Sequence, residues 1–128
     1  MSTFPADLRF THDHEWVRPQ SQTWRVGITQ FAVDQLGDIT LVELPKEGDE
    51  VTKGQRFGTI ESVKSVSDLY APVSGKVVAV NAQLKDSPED VNGEPYGKGW
   101  MVDLEPNDSG ELEELMTADA YSKHVAAQ

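Results

Sequence analysis

The chain has no cysteine among its 128 residues. It therefore has no disulfide, no thiolate metal site and no cysteine nucleophile, and any redox chemistry must come from an attached group. A domain of this length buries roughly two-thirds of the surface of its unfolded chain, which is enough for a stable core without disulfides or metal sites. We expect a single domain over residues 1–128, with a core at about 8–105 and C-terminal helices at about 109–126.

Basic residues are scarce. The chain has 11 Lys and Arg against 22 Asp and Glu, which gives a formal net charge of −11. Because no basic surface is available to neutralise phosphates, we expect no nucleic-acid partner. The negative charge suits docking onto proteins whose active-site mouths are basic.

Long apolar runs are absent as well. No stretch approaches the roughly 20 residues of a membrane-spanning helix, so we expect no membrane partner. The N-terminus, MSTFPADLRF, shows neither the apolar core of a signal peptide nor the Arg- and Ser-rich pattern of a transit peptide. We therefore expect a cytoplasmic protein.

The chain does contain many short strand-like runs, separated by glycine and proline. Such a pattern is typical of a small barrel or sandwich. A weak similarity between residues 44–48 and 71–75 suggests two related halves around one core. The predicted strands are Leu8–Phe10, Glu15–Arg18, Trp24–Ile28, Ile39–Leu44, Phe57–Ser62, Val66–Ala71, Lys76–Asn81 and Gly99–Leu104, with a turn at 20–23.

Four short helices interrupt or follow the strands. Thr29 is placed to cap residues 30–36, and Gly37 follows where a left-handed C-terminal cap is expected. The other predicted caps are Ser87, before Pro88, Ser109, before residues 111–116, and Thr117, before residues 118–125. The predicted class is mostly β, with short helices that include a C-terminal helical appendage.

Lys64 stands in the middle of a predicted hairpin turn, residues 62–65. The turn contains no Gly, Asn or Asp, the residues that tight primed turns prefer, although a type I turn accepts almost any residue. Lys64 is also the only basic residue between Arg56 and Lys76. A lone amine on a fixed hairpin tip is a good site for enzymatic acylation, and the alternative is a lysine that serves solubility alone.

Two other groups of residues could suggest chemistry. On a strand, His12 and His14 would share a face and could chelate a metal. No third ligand follows at a useful spacing, and His124 is remote in sequence on a predicted helix, so we expect a polar edge strand and no metal. Asp68, near Lys64, lacks the desolvation that an acid–base pair needs. Since no phosphate loop or nucleophile motif is present either, we expect no enzymatic activity.

Lipoate and biotin are the two cofactors commonly attached to a hairpin lysine. Biotin sites have methionine on both sides of the lysine, whereas Val63 and Ser65 flank Lys64. The lipoyl domains of 2-oxoacid dehydrogenase acyltransferases usually show Asp-Lys-Ala and a long Ala/Pro linker, and neither is present. The neighbours of Lys64 thus disfavour both of these classes.

From about Leu8 to about Val125 the chain resembles the H-protein family of the glycine cleavage system, which are lipoyl carriers. Each matching motif is weak alone, but their order and spacing are specific. The motifs are His14-Glu15-Trp16, Val26-Gly27-Ile28-Thr29, Leu36-Gly37-Asp38, Val42-Glu43-Leu44-Pro45, Glu61-Ser62-Val63-Lys64, Ser67-Asp68, Ala71-Pro72-Val73-Ser74-Gly75, Pro95-Tyr96 and Gly99-Trp100.

The resemblance implies a barrel-sandwich hybrid fold with lipoate attached to Lys64 as N6-lipoyl-lysine. It also implies a non-catalytic carrier that shuttles an aminomethyl intermediate. The implied partners are a pyridoxal-phosphate glycine decarboxylase, a tetrahydrofolate-dependent aminomethyltransferase, dihydrolipoamide dehydrogenase and a lipoate-attaching enzyme. Two other uses of the fold stay open: a lipoate or octanoate reservoir for other lipoyl domains, and an unmodified interaction module.

The resemblance further implies a cleft that shields the loaded arm from hydrolysis. Glu15 and Asp68 would hold the cationic methylamine there, with Asp13 nearby. Glu61 would be read by the lipoate-attaching enzyme. Phe31 stands where many relatives have histidine, which leaves the polarity of the first helix near the cleft open.

Overall fold

The computed structural model describes residues 4–20 and 22–127. The ends of the predicted 1–128 domain, residues 1–3 and 128, therefore lie outside the described residues. So does residue 21 of the predicted turn, although Gln20 N–H donates to the Thr23 carbonyl at 3.0 Å. Among the described residues, no helix has the length and apolar character needed to cross a membrane.

The fold is mostly β, as predicted, and its strands form two antiparallel sheets that do not close into a barrel. The six-stranded sheet has the order β1-β2-β3-β9-β8-β5, and the three-stranded sheet has the order β4-β6-β7. The strands are β1 Arg9–Phe10, β2 Glu15–Pro19, β3 Trp24–Ile28, β4 Ile39–Glu43, β5 Glu50–Val51, β6 Arg56–Ser62, β7 Val66–Tyr70, β8 Gly75–Val80 and β9 Val102–Pro106.

Short helices connect and flank the sheets. They are α1 Gln30–Leu36, α2 Gln83–Asp86, α3 Asp90–Gly93, a 3₁₀ helix Ser109–Glu114 and α4 Ala118–Ala126. The C-terminal helical appendage is therefore confirmed. Helix α2 was not predicted, because a segment this short carries little periodic signal.

The β6–β7 hairpin is anchored by an apolar inner face. Ile60 and Leu69 are 0% and 2% exposed, and they pack in one cluster with Val33 of α1 and Val91 of α3. Because side chains alternate along a strand, the intervening residues project from the opposite face of the sheet. The hairpin that carries Lys64 thus stands on a packed core.

Two predicted caps are confirmed. The Thr29 hydroxyl accepts a hydrogen bond from Ala32 N at 3.3 Å, and the Thr117 hydroxyl accepts one from Ala120 N at 3.2 Å. Gly37 has the positive φ that was predicted, +80°, but its ψ of −152° lies outside the left-handed helical region. That combination is open essentially to glycine alone.

The predictions for Ser87 and Ser109 are wrong. Helix α3 begins at Asp90 and no side chain caps it. In the 3₁₀ helix the capping residue is Asp108, whose Oδ1 accepts from Gly110 N at 2.8 Å. A carboxylate one residue earlier reaches the same unpaired N–H groups, so it replaces the serine.

The predicted strand Gly99–Leu104 begins only at Val102. Gly99 instead belongs to the turn after α3, where its N–H donates to the Glu94 carbonyl at 2.8 Å. A Cβ on Gly99 would lie 2.8 Å from the Cα of Val91. The glycine is therefore needed for the close approach of α3, which also packs beneath the Lys64 hairpin.

Candidate functional site

The turn at the tip of the β6–β7 hairpin is closed by Ser62. Its N–H donates to the Ser65 carbonyl at 2.8 Å, and its hydroxyl oxygen accepts from the N–H groups of Lys64 and Ser65, both at 3.2 Å. A serine side chain can replace the backbone groups that a turn leaves unpaired. This explains how the chain turns here without Gly, Asn or Asp.

The tip also rests on the end of helix α1. Val63 N–H donates to the Asp38 carbonyl at 3.0 Å. A Cβ on Gly37 would lie 3.4 Å from Cε of Lys64 and 3.9 Å from its Nζ. The backbone at residues 37–38 therefore forms a floor beside the lysine.

Asn92 of α3 fixes that floor. Its Oδ1 accepts a hydrogen bond from Ile39 N at 2.9 Å, and its Nδ2 donates to the Gly37 carbonyl at 2.8 Å. The two hydrogen bonds hold Gly37 and Ile39, the neighbours of Asp38, whose carbonyl accepts the hydrogen bond from the tip. Sequence reasoning missed this role because the partners are 53 and 55 residues away from Asn92 and no local pattern links them.

The Lys64 amine itself is exposed. Among residues 4–20 and 22–127 it forms no ion pair, and neither Glu61 nor Asp68 binds it. The amine is therefore available to an enzyme while the backbone that carries it is held in place.

A cleft of about 150 Å³ lies between the three-stranded sheet, α1 and the start of β2. The three carboxylates predicted for it, Asp13, Glu15 and Asp68, all line this cleft. Its apolar lining includes Ile28, Ile60 and Leu69. Phe31 is not part of the lining, and its ring lies 4.7 Å from that of His14. Of the predicted residues, the structure thus brings the carboxylates together and leaves Phe31 outside.

Glu15 is the most buried of these carboxyl groups, with 2% of its surface exposed. Its Oε1 accepts from the Thr11 hydroxyl at 2.7 Å, and its Oε2 accepts from Tyr70 N at 3.3 Å. Burial raises the pKa of Glu15 to about 8, although both hydrogen bonds act in the opposite direction. At neutral pH the carboxyl is therefore mostly protonated, and a cation entering the cleft would favour its ionised form.

Residues 12–14 do not form the predicted edge strand. They connect β1 to β2, and His14 has a φ of +70°. The Thr11 hydroxyl oxygen closes this connection by accepting from Asp13 N at 3.2 Å and Glu15 N at 3.1 Å. The strand prediction was wrong because this side chain offers the backbone an alternative to ladder pairing.

His124 is not remote from the other two histidines. Its ring centroid lies 4.9 Å from that of His12 and 5.9 Å from that of His14, because α4 packs against the 11–14 connection. Tyr121 of α4 also bonds His14 Nδ1 at 2.7 Å. Burial, followed by the charge of His124, lowers the pKa of His14. Within the described part of the chain, no group of three His, Cys, Asp or Glu side chains is placed to hold a metal ion.

Comparison with known proteins identifies the family. A family model described as Glycine cleavage H-protein matches residues 8–128. The chain belongs to this family. Among curated H proteins, that of Halalkalibacterium halodurans is 52% identical over 128 residues and covers all of both chains. The H protein of Bacillus licheniformis is 55% identical over 125 residues, which is 98% of each chain.

A solved structure gives the same result for the fold. The crystal structure of the H protein from Mycobacterium marinum superposes with a TM-score of 0.88 at 40% identity, covering 96% of this chain and 99% of that chain. H proteins are carrier subunits and are not catalytic themselves. The chain is therefore a lipoyl carrier of the glycine cleavage system and works with the other components of that system.

Proposed function

We propose that lipoate is attached to Lys64 through an amide with Nζ. The observation that carries this proposal is an exposed amine, without an ion pair among the described residues, on a tip whose backbone is bonded to Ser62 and Asp38. Lipoate supplies a dithiolane, and hence the thiol–disulfide chemistry that this cysteine-free chain lacks. The chain supplies a fixed anchor from which a flexible arm reaches into other active sites.

The partners follow from the family's role. The arm visits a pyridoxal-phosphate glycine decarboxylase, a tetrahydrofolate-dependent aminomethyltransferase and dihydrolipoamide dehydrogenase, after a lipoate-attaching enzyme has read Glu61 and modified Lys64. Tethering makes each encounter effectively intramolecular once the partner has docked. The net charge of −11 favours partners with basic surfaces around their active sites.

The cleft is proposed to shelter the loaded arm. Ile28, Ile60 and Leu69 offer an apolar surface to the methylenes of the arm, while Glu15, Asp68 and Asp13 offer carboxyl groups to a cationic methylamine. Charge-assisted hydrogen bonds between a carboxylate and an ammonium are about twice as strong as neutral ones. The burial of Glu15 keeps water away from that contact.

Reconstitution with the other three components tests the carrier function. The wild-type chain, loaded with lipoate, should support glycine-dependent NADH formation, and Lys64→Arg should abolish it. Lys76→Arg is the matched control, because Lys76 is another exposed lysine on a strand and its loss should have no effect. Full activity of Lys64→Arg would support the unmodified interaction module. A lipoylated wild-type chain without activity would support the lipoate or octanoate reservoir.

A further inference from the structure

Two exposed apolar side chains flank Lys64. Val63 and Val66 are 67% and 63% exposed, and they are the exposed large hydrophobic residues among those the structure describes. Neither belongs to a core cluster. A single exposed valine needs no explanation, but the location of both beside the modified lysine does.

The surface around Val66 is acidic. In the β6–β7 pairing Val66 lies opposite Glu61, and Asp68 lies opposite Thr59. Glu43 of β4 pairs with Thr59 from the other side. Since paired residues and residues two apart share a face of a sheet, Glu43 and Glu61 project beside Val66 from the outward face, whereas Asp68, on the edge strand β7, also lines the cleft.

We propose that Val63 and Val66 form the docking surface of the enzyme that attaches lipoate. That enzyme would present an apolar slot for the two valines, bordered by Lys or Arg residues that meet Glu43 and Glu61. The inference rests on the proposed attachment of lipoate to Lys64.

The length of the lysine side chain indicates which partner covers the valines, and it favours the attaching enzyme over the other partners. Nζ is five bonds from Cα, so the amine extends roughly 6 Å from the backbone at covalent bond lengths near 1.5 Å. An enzyme that acylates this amine must approach the tip to within that distance and must cover the neighbouring side chains. Once the arm is attached, its reactive sulfurs lie several bonds farther out, and the later enzymes can act without covering the valines.

The tip cannot hide these side chains by rearranging. Val63 is held by its N–H bond to the Asp38 carbonyl, and Val66 is held by its pairing with Glu61. The valines therefore stay exposed until a partner covers them. A preformed surface of this kind avoids the cost of ordering a loop on binding.

Isosteric substitutions test the proposal. Val63→Thr and Val66→Thr keep the branched shape and replace one methyl group by a hydroxyl. We expect each to lower kcat/KM of a lipoate ligase about fourfold, the factor expected for one buried methyl group, and the double variant to lower it about fifteenfold. Val66→Ile should keep the wild-type rate. Thermal unfolding should not change, since both side chains are exposed.

Ala82→Ser is the matched control, because it adds a hydroxyl to an exposed residue at the start of α2. It should leave lipoylation unchanged. Wild-type rates for both threonine variants would overturn the proposal. If the wild-type chain itself accepts no lipoate, the proposed function fails instead, so the two failures are distinguishable.

The second arm of the experiment uses variants loaded to completion by long incubation with excess ligase. The loaded double variant should reduce glycine decarboxylase turnover no more than Ala82→Ser does. A loss confined to this later step, with lipoylation unaffected, would assign the surface to the decarboxylase and overturn the proposal.

The salt dependence of lipoylation tests the basic border. The kcat/KM of lipoylation should fall as the salt concentration rises, and it should fall less steeply for Glu43→Gln. A rate independent of salt would contradict that border.

Discussion

Gly37 lies directly against the aliphatic part of Lys64, with the position of a Cβ on the glycine 3.4 Å from Cε of the lysine. The glycine also has a φ of +80°, a backbone conformation that disfavours any other residue, while a Cβ at 3.4 Å would be in ordinary van der Waals contact with the lysine. Helix α1 thus ends in a residue that leaves room for Lys64. The proposed attachment site consists of this floor as well as the hairpin.

Gly37→Ala should therefore have two effects. The strained backbone should lower the free energy of unfolding by about 1–3 kcal/mol, and distortion of residues 37–38, where the Asp38 carbonyl accepts from Val63 N, should slow lipoylation of Lys64. Gly54→Ala is the control, because Gly54 has a φ of +83° and nothing within 4 Å of its Cβ position. Urea unfolding and ligase kinetics should show a loss of stability in both variants and slower lipoylation only in Gly37→Ala. Equal lipoylation rates would show that Gly37 matters for folding alone.

Asn92→Ala should loosen the floor under the tip. It removes two hydrogen bonds, so we expect about 2 kcal/mol of lost stability. It should also speed hydrogen exchange at the Val63 amide, whose acceptor is the Asp38 carbonyl between the two bonded residues. Asn81→Ala is the matched control, since its Nδ2 also donates twice, to the carbonyls of Lys98 and Trp100 at 2.7 Å. Unchanged exchange at Val63 in Asn92→Ala would refute this bracing role.

The buried carboxyl of Glu15 should make stability depend on pH. Its pKa in the folded chain, about 8, lies above the ordinary value of 4.5, so the folded state binds a proton that the unfolded state has lost. Stability should therefore fall as pH rises between these values, by about 1 kcal/mol per unit near pH 7. The lowered pKa of His14 acts in the opposite direction around and below pH 6.5, where stability falls as pH drops, so Glu15 dominates the slope between about pH 7 and 8.

Urea unfolding across that window measures the slope. Glu15→Gln should flatten it, and Glu105→Gln, which alters an exposed carboxylate on β9, should retain it. A wild-type slope near zero would mean that Glu15 is ionised in the empty cleft.

The carboxyl groups of the cleft should slow hydrolysis of the loaded arm. Glu15→Gln and Asp68→Asn should each speed ammonia release from the aminomethyl-loaded protein about tenfold, the equivalent of roughly 1.4 kcal/mol for a lost charged contact. Asp49→Asn, which alters a carboxylate in the loop before β5, should not. Release at the wild-type rate from both cleft variants would exclude these residues from protecting the arm.

Local patterns in the sequence predict much of this fold. Trp24–Ile28 alternates in apolar character and forms β3 as expected, and Thr29 and Thr117 cap the helices that follow them. The proposal for Lys64, which stays a prediction, likewise rests on a local signal, because valine and lysine are poor choices for turning alone. In each case the information lies within a few residues of the feature.

The features that sequence reasoning missed depend on contacts across the chain. Asn92 reaches residues more than 50 positions away, and α4 brings His124 to His12. The burial that raises the pKa of Glu15 arises only when β2, β7 and α1 meet at the cleft. The role of Thr11 in closing the connection between β1 and β2 was also missed, because its hydroxyl replaces the strand pairing that the local pattern favours.

The central claim is that Lys64 carries lipoate. Its most direct test is an intact mass, with peptide mapping, after incubation of the purified chain with a lipoate ligase, ATP and lipoate. We predict one lipoyl increment, located on the peptide that contains Lys64, and none in Lys64→Arg. The absence of an increment on the wild-type chain, with the same ligase active on another lipoyl domain, would contradict the claim.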